Sequence, residues 1–283
     1  MDRFIPIFII EKIFILRVIL HYFECKPFSK NINSKKAIII GNGPSLLKTI
    51  EQNLNELQNN DCFMVNNAAI HNCFVLIKPQ YYVFADPDYF QKDFMNKVTS
   101  NVLEAFERNL KWQMTVFLPV SSKNTLFEIK LKNIKYISLV YYSSVYSSFF
   151  VKYINRRRLF RFWNKNIARP LSQTVLNTAS SIAISMKYKE IFLVGADTSW
   201  TEMLYVDQTT NDIYSYDRHF YDSDKRLLYK YSEAKSNLAE DLLTIANALE
   251  SYQIIKEYAY YNECKIYNAS EYSFIDTLVR KKL

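Results

Sequence analysis

Residues 38–46, with the sequence IIIGNGPSL, decide which fold this chain is predicted to have. The three isoleucines form a short apolar run typical of a buried strand. Gly41 and Gly43 then allow a tight turn, and Pro44 suits the first position of a helix that begins near Leu46. Free amides at the start of such a helix favour a phosphate. The stretch therefore predicts a strand, a ligand-binding turn and a helix, with a plain structural turn as the alternative.

Glycine is scarce in this chain, which makes its positions informative. The chain has 283 residues and three glycines, where average usage would give roughly 20. The third, Gly195, lies in FLVGADTSW (192–200), again just after an apolar run. We infer that glycine is kept only where the backbone requires it. A dinucleotide fingerprint would need another glycine where Leu46 stands, so the turn does not predict an NAD site.

Further apolar runs alternate with helical segments along the rest of the chain. Apolar rather than alternating strands are typical of a parallel sheet covered on both faces. The fold class is therefore α/β, with a Rossmann-like, mostly parallel sheet flanked by helices in one domain over residues 31–283. The strands are predicted at 37–40, 62–65, 81–85, 115–120, 136–140, 191–194 and 265–268, and the main helices at 46–57, 176–186 and 233–260. Two segments break this rhythm, near 141–170 and 200–230, and are predicted to be lid insertions.

The first 23 residues, MDRFIPIFIIEKIFILRVILHYF, are strongly apolar. Glu11, Lys12 and Arg17 interrupt the run, and no small-residue cleavage site follows it, which argues against both a signal peptide and a spanning helix. Residues 1–30 are predicted to contain an apolar or amphipathic helix that anchors the chain on a membrane surface. Packing on the protein's own core, or on another subunit, is the alternative.

Composition and charge narrow the classes of partner. With 49% hydrophobic residues the chain is not disordered, and its net charge of +8 favours anionic partners such as lipid headgroups. Four scattered cysteines show neither metal-ligand spacing nor a disulfide framework, which indicates a cytoplasmic setting. The basic and aromatic stretch 155–163 could contact nucleic acid, lipid or a phosphate. Because no nucleic-acid-binding signature occurs elsewhere, no nucleic-acid partner is predicted.

Polar residues follow several predicted strands. Asp197 would face the same crevice as Asn42 if both strands are parallel, because ligands of open α/β sheets bind beyond the carboxyl ends of the strands. Asn66 and Asn67 follow another predicted strand. Asp197 could instead cap the turn that follows it. The sequence Asp86-Pro87-Asp88 could hold Mg²⁺ or Mn²⁺, or could form a turn closed by its own side chains.

His219 is the predicted general base. It lies in a polar insertion, and an imidazole with a near-neutral pKa suits removal of a proton from an acceptor hydroxyl. Arg218 and Asp222 flank it and could set its orientation. A surface histidine without a role is the alternative.

Taken in order, these motifs resemble a known family. GNGPSL, VNN (65–67), VFADPD (83–88), YKEIFLVGAD (188–197) and a later histidine-bearing loop resemble the bacterial sialyltransferases of glycosyltransferase family 42. The related 6-hydroxymethylpterin diphosphokinase-like domains share the GNGPSL turn and the later Gly-x-Asp. The resemblance covers about residues 37–270.

The resemblance implies a Rossmann-like domain with a lid that binds CMP-sialic acid without a metal. His219 and Asp197 would be the catalytic residues. Asp88 stands where the family has asparagine. Ser199 stands where it has a tyrosine for the leaving phosphate, so that either Tyr205, Tyr214 or Tyr216 would take that role or the role is absent from this chain. Residues 173–175 replace the family's Thr-Ser-Gly. The implied nucleotide-sugar contacts are Gly41, Asn42, Gly43, Pro44, Ser45, Asn66, Asn67, Asp88, Thr174, Gly195 and Ser199.

The sequence thus predicts a glycosyltransferase of lipopolysaccharide or other surface-glycan assembly, without cofactor or metal. It would transfer sialic acid or a related nonulosonate from a CMP-sugar to a glycan or lipid-linked acceptor, on the inner face of the bacterial membrane. One alternative is a diphosphokinase-like transferase that uses ATP and Mg²⁺ through Asp86 and Asp88. Another is a non-catalytic, nucleotide-binding scaffold. Homo-oligomerisation is left open.

Overall fold

A computed structural model describes residues 7–20, 24–29, 36–92, 95–147, 154–170, 173–217, 227–230 and 237–283. Its centre is an eight-stranded sheet in the order β11-β10-β6-β1-β2-β3-β4-β5, and all of its pairings are parallel. The Rossmann-like α/β class is confirmed. The strands are β1 Lys36–Ile40, β2 Asp61–Val65, β3 Tyr81–Val83, β4 Met114–Pro119, β5 Ile137–Tyr142, β6 Glu190–Val194, β10 Lys265–Asn268 and β11 Val279–Arg280.

Helices cover both faces of this sheet, as its apolar strands require. Alternate residues of each strand belong to two separate cores. Ile39 and Phe63 face the side covered by α1 (Ile7–Leu20), α6 (Arg156–Asn164), α7 (Val175–Ser185) and α8 (Leu238–Tyr261). Ile38 and Cys62 face the side covered by α2 (Leu46–Asn59), α3 (Cys73–Ile77), α4 (Lys97–Asn109) and α5 (Leu126–Lys132).

The order of the strands creates a switch point between β1 and β6. From β1 the chain runs outward through β2, β3, β4 and β5, and it then returns to place β6 on the other side of β1. At such a reversal the loops after the two strands diverge and leave a crevice at their carboxyl ends. Gly41 follows β1 and Gly195 follows β6, so the two glycine-bearing turns meet at this crevice.

The predicted lid near 141–170 needs correction over its described residues. Tyr142 is the last residue of β5 and is buried, and residues 156–164 form α6. Leu159, Phe160 and Trp163 are buried against α7 and α8 in the first core. These large apolar side chains make α6 part of the covering layer of the sheet, so it is not free to move as a lid.

The second insertion, near 200–230, contains a small sheet of its own. Strands β7 (Leu204–Val206), β8 (Ile213–Asp217) and β9 (Leu227–Lys230) pair antiparallel in that order. Tyr205 and Tyr214 face each other across β7 and β8, with their ring centroids 6.3 Å apart. The prediction that this insertion acts as a lid stays a prediction.

One side of the N-terminal helix α1 packs on the protein's own core, and its anchoring on a membrane stays a prediction. Phe14 and Val18, one turn apart, are buried in the first core, and the Phe14 ring lies 5.9 Å from that of Phe162 in α6. Large apolar side chains on the rest of α1 remain exposed. Within the described residues, no helix is long and apolar enough to cross a membrane.

Candidate functional site

A cavity of about 220 Å³ lies at the carboxyl ends of β1, β2 and β6, where the switch point predicts a ligand site. Eight of the residues predicted from sequence line it: Asn42, Gly43, Pro44, Asn66, Thr174, Gly195, Asp197 and Ser199. The remaining lining residues are Val65, Gln173, Val175, Leu176, Ala196, Thr198, Trp200, Met203 and Tyr252. Five separated chain segments thus converge on one cavity.

The three glycines of the chain form a backbone clasp at one wall of this cavity. Gly41 N donates to Val194 O at 2.8 Å, and Gly43 N donates to Gly195 O at 2.9 Å. A Cβ on Gly43 would lie 2.7 Å from Gly195 O, and one on Gly195 would lie 2.6 Å from Gly41 O. Gly195 also has φ +60°, which side chains rarely adopt. The glycines are therefore needed for the two turns to approach each other.

This clasp corrects the predicted use of the turn amides. The Gly43 amide is bonded to Gly195, and the Ser45 amide donates to Asp197 Oδ2 at 3.0 Å, so neither is free for a phosphate. Pro44 also lies in the turn itself, two residues before α2 begins at Leu46. The turn forms one wall of the cavity, and its Gly43 and Ser45 amides are taken by the protein itself.

Asp197 fixes that wall. It is buried, its Oδ2 accepts the Ser45 amide, and its Oδ1 accepts the Ser45 hydroxyl. Burial raises the pKa of its carboxyl above the ordinary value of 3.8, while the two bonds from Ser45 act in the opposite direction. With both oxygens engaged, Asp197 positions the turn of β1 against the end of β6.

The side-chain oxygen of Asn42 is a polar group of the turn without a hydrogen-bond partner among the described residues. This oxygen, Oδ1, is buried. An orphaned buried acceptor is costly, and such groups are uncommon in native structures. Because Asn42 lines the cavity, the group that satisfies this oxygen would be a hydroxyl or amino donor on a bound ligand.

The amino end of α7 forms another wall of the cavity. Thr174 caps this helix, its Oγ1 accepting the Asn177 amide at 3.3 Å, and Val175 and Leu176 line the cavity. The first amides of a helix lack intrahelical partners, and the helix dipole makes this end positive. The wall formed by α7 is therefore where a phosphate or carboxylate would be stabilised.

Tyr252 connects α7 to the end of β6. Its hydroxyl lies 3.4 Å from Thr174 Oγ1 and is also hydrogen-bonded to the Thr198 side chain. Complete burial raises the pKa of Tyr252 above its ordinary value, so the phenol stays protonated and can donate. The Thr198 and Ser199 side chains, both buried, extend the same row of hydroxyl groups.

Two non-glycine residues of the cavity lining have strained backbone. Asn66 has φ +43° and Thr198 has φ +50°, both in the left-handed region. For a β-branched residue such as Thr198 this conformation is an outlier. Asn66 also closes the neighbouring loop, because its Oδ1 accepts the Ala85 amide at 3.3 Å. Strain held in place by surrounding structure is typical of ligand sites.

Several predicted residues lie away from the cavity lining. The Asn67 side chain accepts the Tyr89 hydroxyl. Asp88 is exposed, and its amide donates to Asp86 Oδ1 at 3.0 Å, so the pair forms the cap of a short 3₁₀ turn. Among the described residues, no group of three or more His, Cys, Asp or Glu side chains could hold a metal ion.

His219, Arg218 and Asp222 lie outside the described residues, so the predicted base remains a prediction. The insertion that contains His219 begins beside the cavity, because Trp200 and Met203 line the cavity and β7 follows them directly. Tyr205 and Tyr214 are not lining residues, and the Tyr216 side chain is also outside the described set.

Tyr252 is the main site residue that the sequence analysis missed. It lies inside a long helix whose buried residues, among them Ile255, Tyr258 and Ala259, recur at helical spacing. From sequence alone a tyrosine in such a pattern is indistinguishable from a core residue. Trp200 and Met203 were easier to find from the sequence. They come just after Gly195-Ala196-Asp197, at the end of a strand that was already predicted to border the site.

This chain matches one protein family model and is similar in fold to a solved structure. The family model "6-hydroxymethylpterin diphosphokinase MptE-like" matches residues 16–203, which include both glycine-bearing turns. The solved structure of the MAf glycosyltransferase from Magnetospirillum magneticum AMB-1 is similar in fold, with a TM-score of 0.51 and 11% identity. That match covers 96% of this chain but 38% of the MAf chain. No curated protein sequence gives a significant match.

Proposed function

This chain belongs to the MptE-like family, and we propose that it is a glycosyltransferase. The donor in this proposal is a CMP-activated sugar, sialic acid or a related nonulosonate, and the acceptor is a surface glycan or a lipid-linked precursor of lipopolysaccharide. One observation carries the proposal. A cavity at the switch point has an orphaned acceptor, Asn42 Oδ1, on one wall and the positive end of α7 on another.

These two walls match the two parts of a nucleotide. Asn42 Oδ1 needs a donor, which the ribose hydroxyls or the amino group of cytosine would supply. The amides at the start of α7, with the hydroxyl of Tyr252 behind them, would bind the phosphate. Because charge develops on that phosphate as the sugar leaves, donors already fixed in position stabilise the transition state more than the ground state.

The transfer itself is a substitution at the anomeric carbon of the sugar. The acceptor oxygen forms a bond to that carbon while the bond from the carbon to the phosphate oxygen breaks, and CMP leaves with the electron pair. In this proposal His219 takes the proton of the acceptor hydroxyl. Replacing His219 with alanine should lower turnover by about 10²–10⁴-fold with little change in CMP affinity.

Nucleotide-dependent thermal stabilisation tests the proposal. A ligand that binds only the native state raises the melting temperature, and the stabilisation grows with the logarithm of the ratio of ligand concentration to Kd. CMP should raise it more than UDP, GDP or ATP, and hydrolysis of CMP-sialic acid should proceed in EDTA. A larger shift with ATP, together with activity lost in EDTA, would contradict the proposal.

The family description favours one alternative, a diphosphokinase that uses ATP and Mg²⁺. The carboxylates considered for the metal are Asp86 and Asp88, and they do not fit that role well. Both are exposed and outside the cavity lining, and Asp86 is engaged by the Asp88 amide. The arrangement of these residues therefore favours the glycosyltransferase.

The proposed setting is the inner face of the bacterial membrane. An enzyme that glycosylates a lipid-linked acceptor with a cytoplasmic nucleotide sugar must work at that surface. Exposed apolar residues on α1 support this location.

A further inference from the structure

Helix α1 carries two apolar stripes on opposite sides. Phe14 and Val18 form the inner stripe, which is buried in the protein core. The outer stripe consists of Ile9, Ile13, Leu16 and Leu20, spaced four, three and four residues apart, and lies about 150° from the inner one. Its exposure rises along the helix, from 38% at Ile9 to 69% at Leu20. Folding thus fixes α1 in place and leaves a second apolar surface in solvent.

Helix α6 lies next to α1 and presents a row of cations. Arg157 and Arg161 of α6 and its C-cap residue Lys165 are spaced four residues apart, so they form one ridge, and all three are exposed. On one side of this ridge Phe162 packs against Phe14 of α1. On the other side Phe160 packs against α8, with its ring centroid 5.3 Å from that of Tyr258. The ridge therefore runs outward between α1 and α8.

The basic surface continues beyond α6. Arg157 lines a groove of about 700 Å³. Lys256 and Tyr260 of α8 and Lys265 of β10 line the same groove. Tyr260 is 86% exposed. The carboxylate at this groove, Glu257, is 3.5 Å from Arg156 and is neutralised by it. The surface is therefore positively charged, with an exposed aromatic residue at its border.

We propose that the outer stripe of α1 and the basic ridge of α6 together dock the protein on an anionic phospholipid bilayer. The occupant follows from the chemistry. Leucine and isoleucine side chains enter the boundary of the acyl chains, while guanidinium and ammonium groups bind phosphate headgroups. Tyrosine is enriched at the same depth of a membrane. The proposal rests on the proposed location of the protein and not on the chemistry of its cavity.

Co-sedimentation with vesicles tests this surface in the full chain. Binding to phosphatidylcholine vesicles that contain phosphatidylglycerol should be much stronger than to phosphatidylcholine alone, and it should weaken as salt is added. Arg157→Gln, Arg161→Gln and Lys165→Gln combined should weaken that binding roughly 100-fold. Lys111→Gln, Lys130→Gln and Lys135→Gln combined are the matched control, because these lysines are exposed in α5 and in loops outside α1, α6 and α8.

A second pair of variants tests the apolar stripe. Leu16→Ser with Leu20→Ser should reduce vesicle binding, whereas Leu126→Ser with Ile129→Ser, exposed residues of α5, should not. Far-UV circular dichroism and thermal unfolding verify that each variant is folded. CMP binding should be unchanged in all four variants, which separates this proposal from the proposed function.

Two results would overturn the proposal. One is equal binding of the ridge variant and its lysine control to anionic vesicles. The other is a wild type that does not bind vesicles but forms an oligomer in solution, and this oligomer dissociates when Leu16 and Leu20 are replaced with serine. The second result would assign the stripe to another copy of this chain.

Discussion

The carboxyl ends of β6 and β3 look alike in sequence and differ in the folded chain. Each is an apolar strand followed within a few residues by aspartate, Asp197 in one case and Asp86 and Asp88 in the other. At the end of β6 the aspartate is buried and bonded to Ser45, 152 positions away in sequence. At the end of β3 the aspartates are exposed, and Asp86 accepts the Asp88 amide two residues along.

The difference comes from the neighbouring strand and not from the local motif. β6 lies beside β1 at the switch point, so two turns meet there and a side chain on one can hold the other. β3 lies between β2 and β4, away from this reversal. A polar residue after a strand therefore becomes part of a site when the topology gives it a partner across a crevice. The predictions below test this contrast.

The largest effect is expected at Gly195. A Cβ there would lie 2.6 Å from Gly41 O, and the φ of +60° adds strain. Gly195→Ala should lower the free energy of unfolding by about 2–5 kcal/mol, from overpacking and left-handed backbone together. Urea unfolding measures this loss of unfolding free energy. The control is Asn211→Ala, which also has φ +60° but is exposed, and its loss should be near 1 kcal/mol. Equal losses would contradict the clasp.

Asp197 should give the next effect, seen in the pH dependence of stability. Because its folded pKa is raised above 3.8, the folded state keeps this proton after the unfolded state has lost it. The Asp197 contribution to stability therefore falls as the pH rises from about 3.8 through the raised pKa, and it is constant above that. Asp197→Asn removes this dependence. Urea midpoints of the two proteins should diverge across that window, and parallel profiles would contradict the burial of the carboxylate.

The smallest effect is expected at β3. Asp88→Asn keeps the amide that Asp86 accepts and changes an exposed side chain. Stability should change by no more than about 0.5 kcal/mol, and CMP affinity should stay the same with or without EDTA. Loss of nucleotide binding in this variant would mean that the end of β3 belongs to the site after all.

The sequence was sufficient for seven of the eight strands of the main sheet and for about half of the cavity lining. The strand predictions at 37–40 and 191–194 match β1 and β6 nearly to the residue, because buried parallel strands are short apolar runs between polar turns. Three glycines in so long a chain also marked the switch point. The need for glycine at a close approach was predicted correctly, but the partner was not. The glycines allow two backbone segments to approach each other, and not a ligand to approach the backbone.

Other features depended on packing that local patterns do not encode. The basic, aromatic segment of α6 was predicted to be a lid, but Leu159, Phe160 and Trp163 bury one side of it. Tyr252 reaches the cavity from a helix whose remaining buried residues belong to the core. In both cases the deciding contact comes from residues far away in the chain, which a reading of local composition cannot supply.

The most direct test of the account is the affinity of the wild type and of Asn42→Ala for CMP, measured by calorimetric titration. If Asn42 Oδ1 accepts a ligand hydroxyl or amino group, its loss leaves that donor unsatisfied and should weaken binding about 10-fold or more. The urea midpoint should be unchanged, since Asn42 Oδ1 has no partner among the described residues. Equal CMP affinities in the two proteins, or no binding by the wild type, would contradict the claim that this cavity is the nucleotide site.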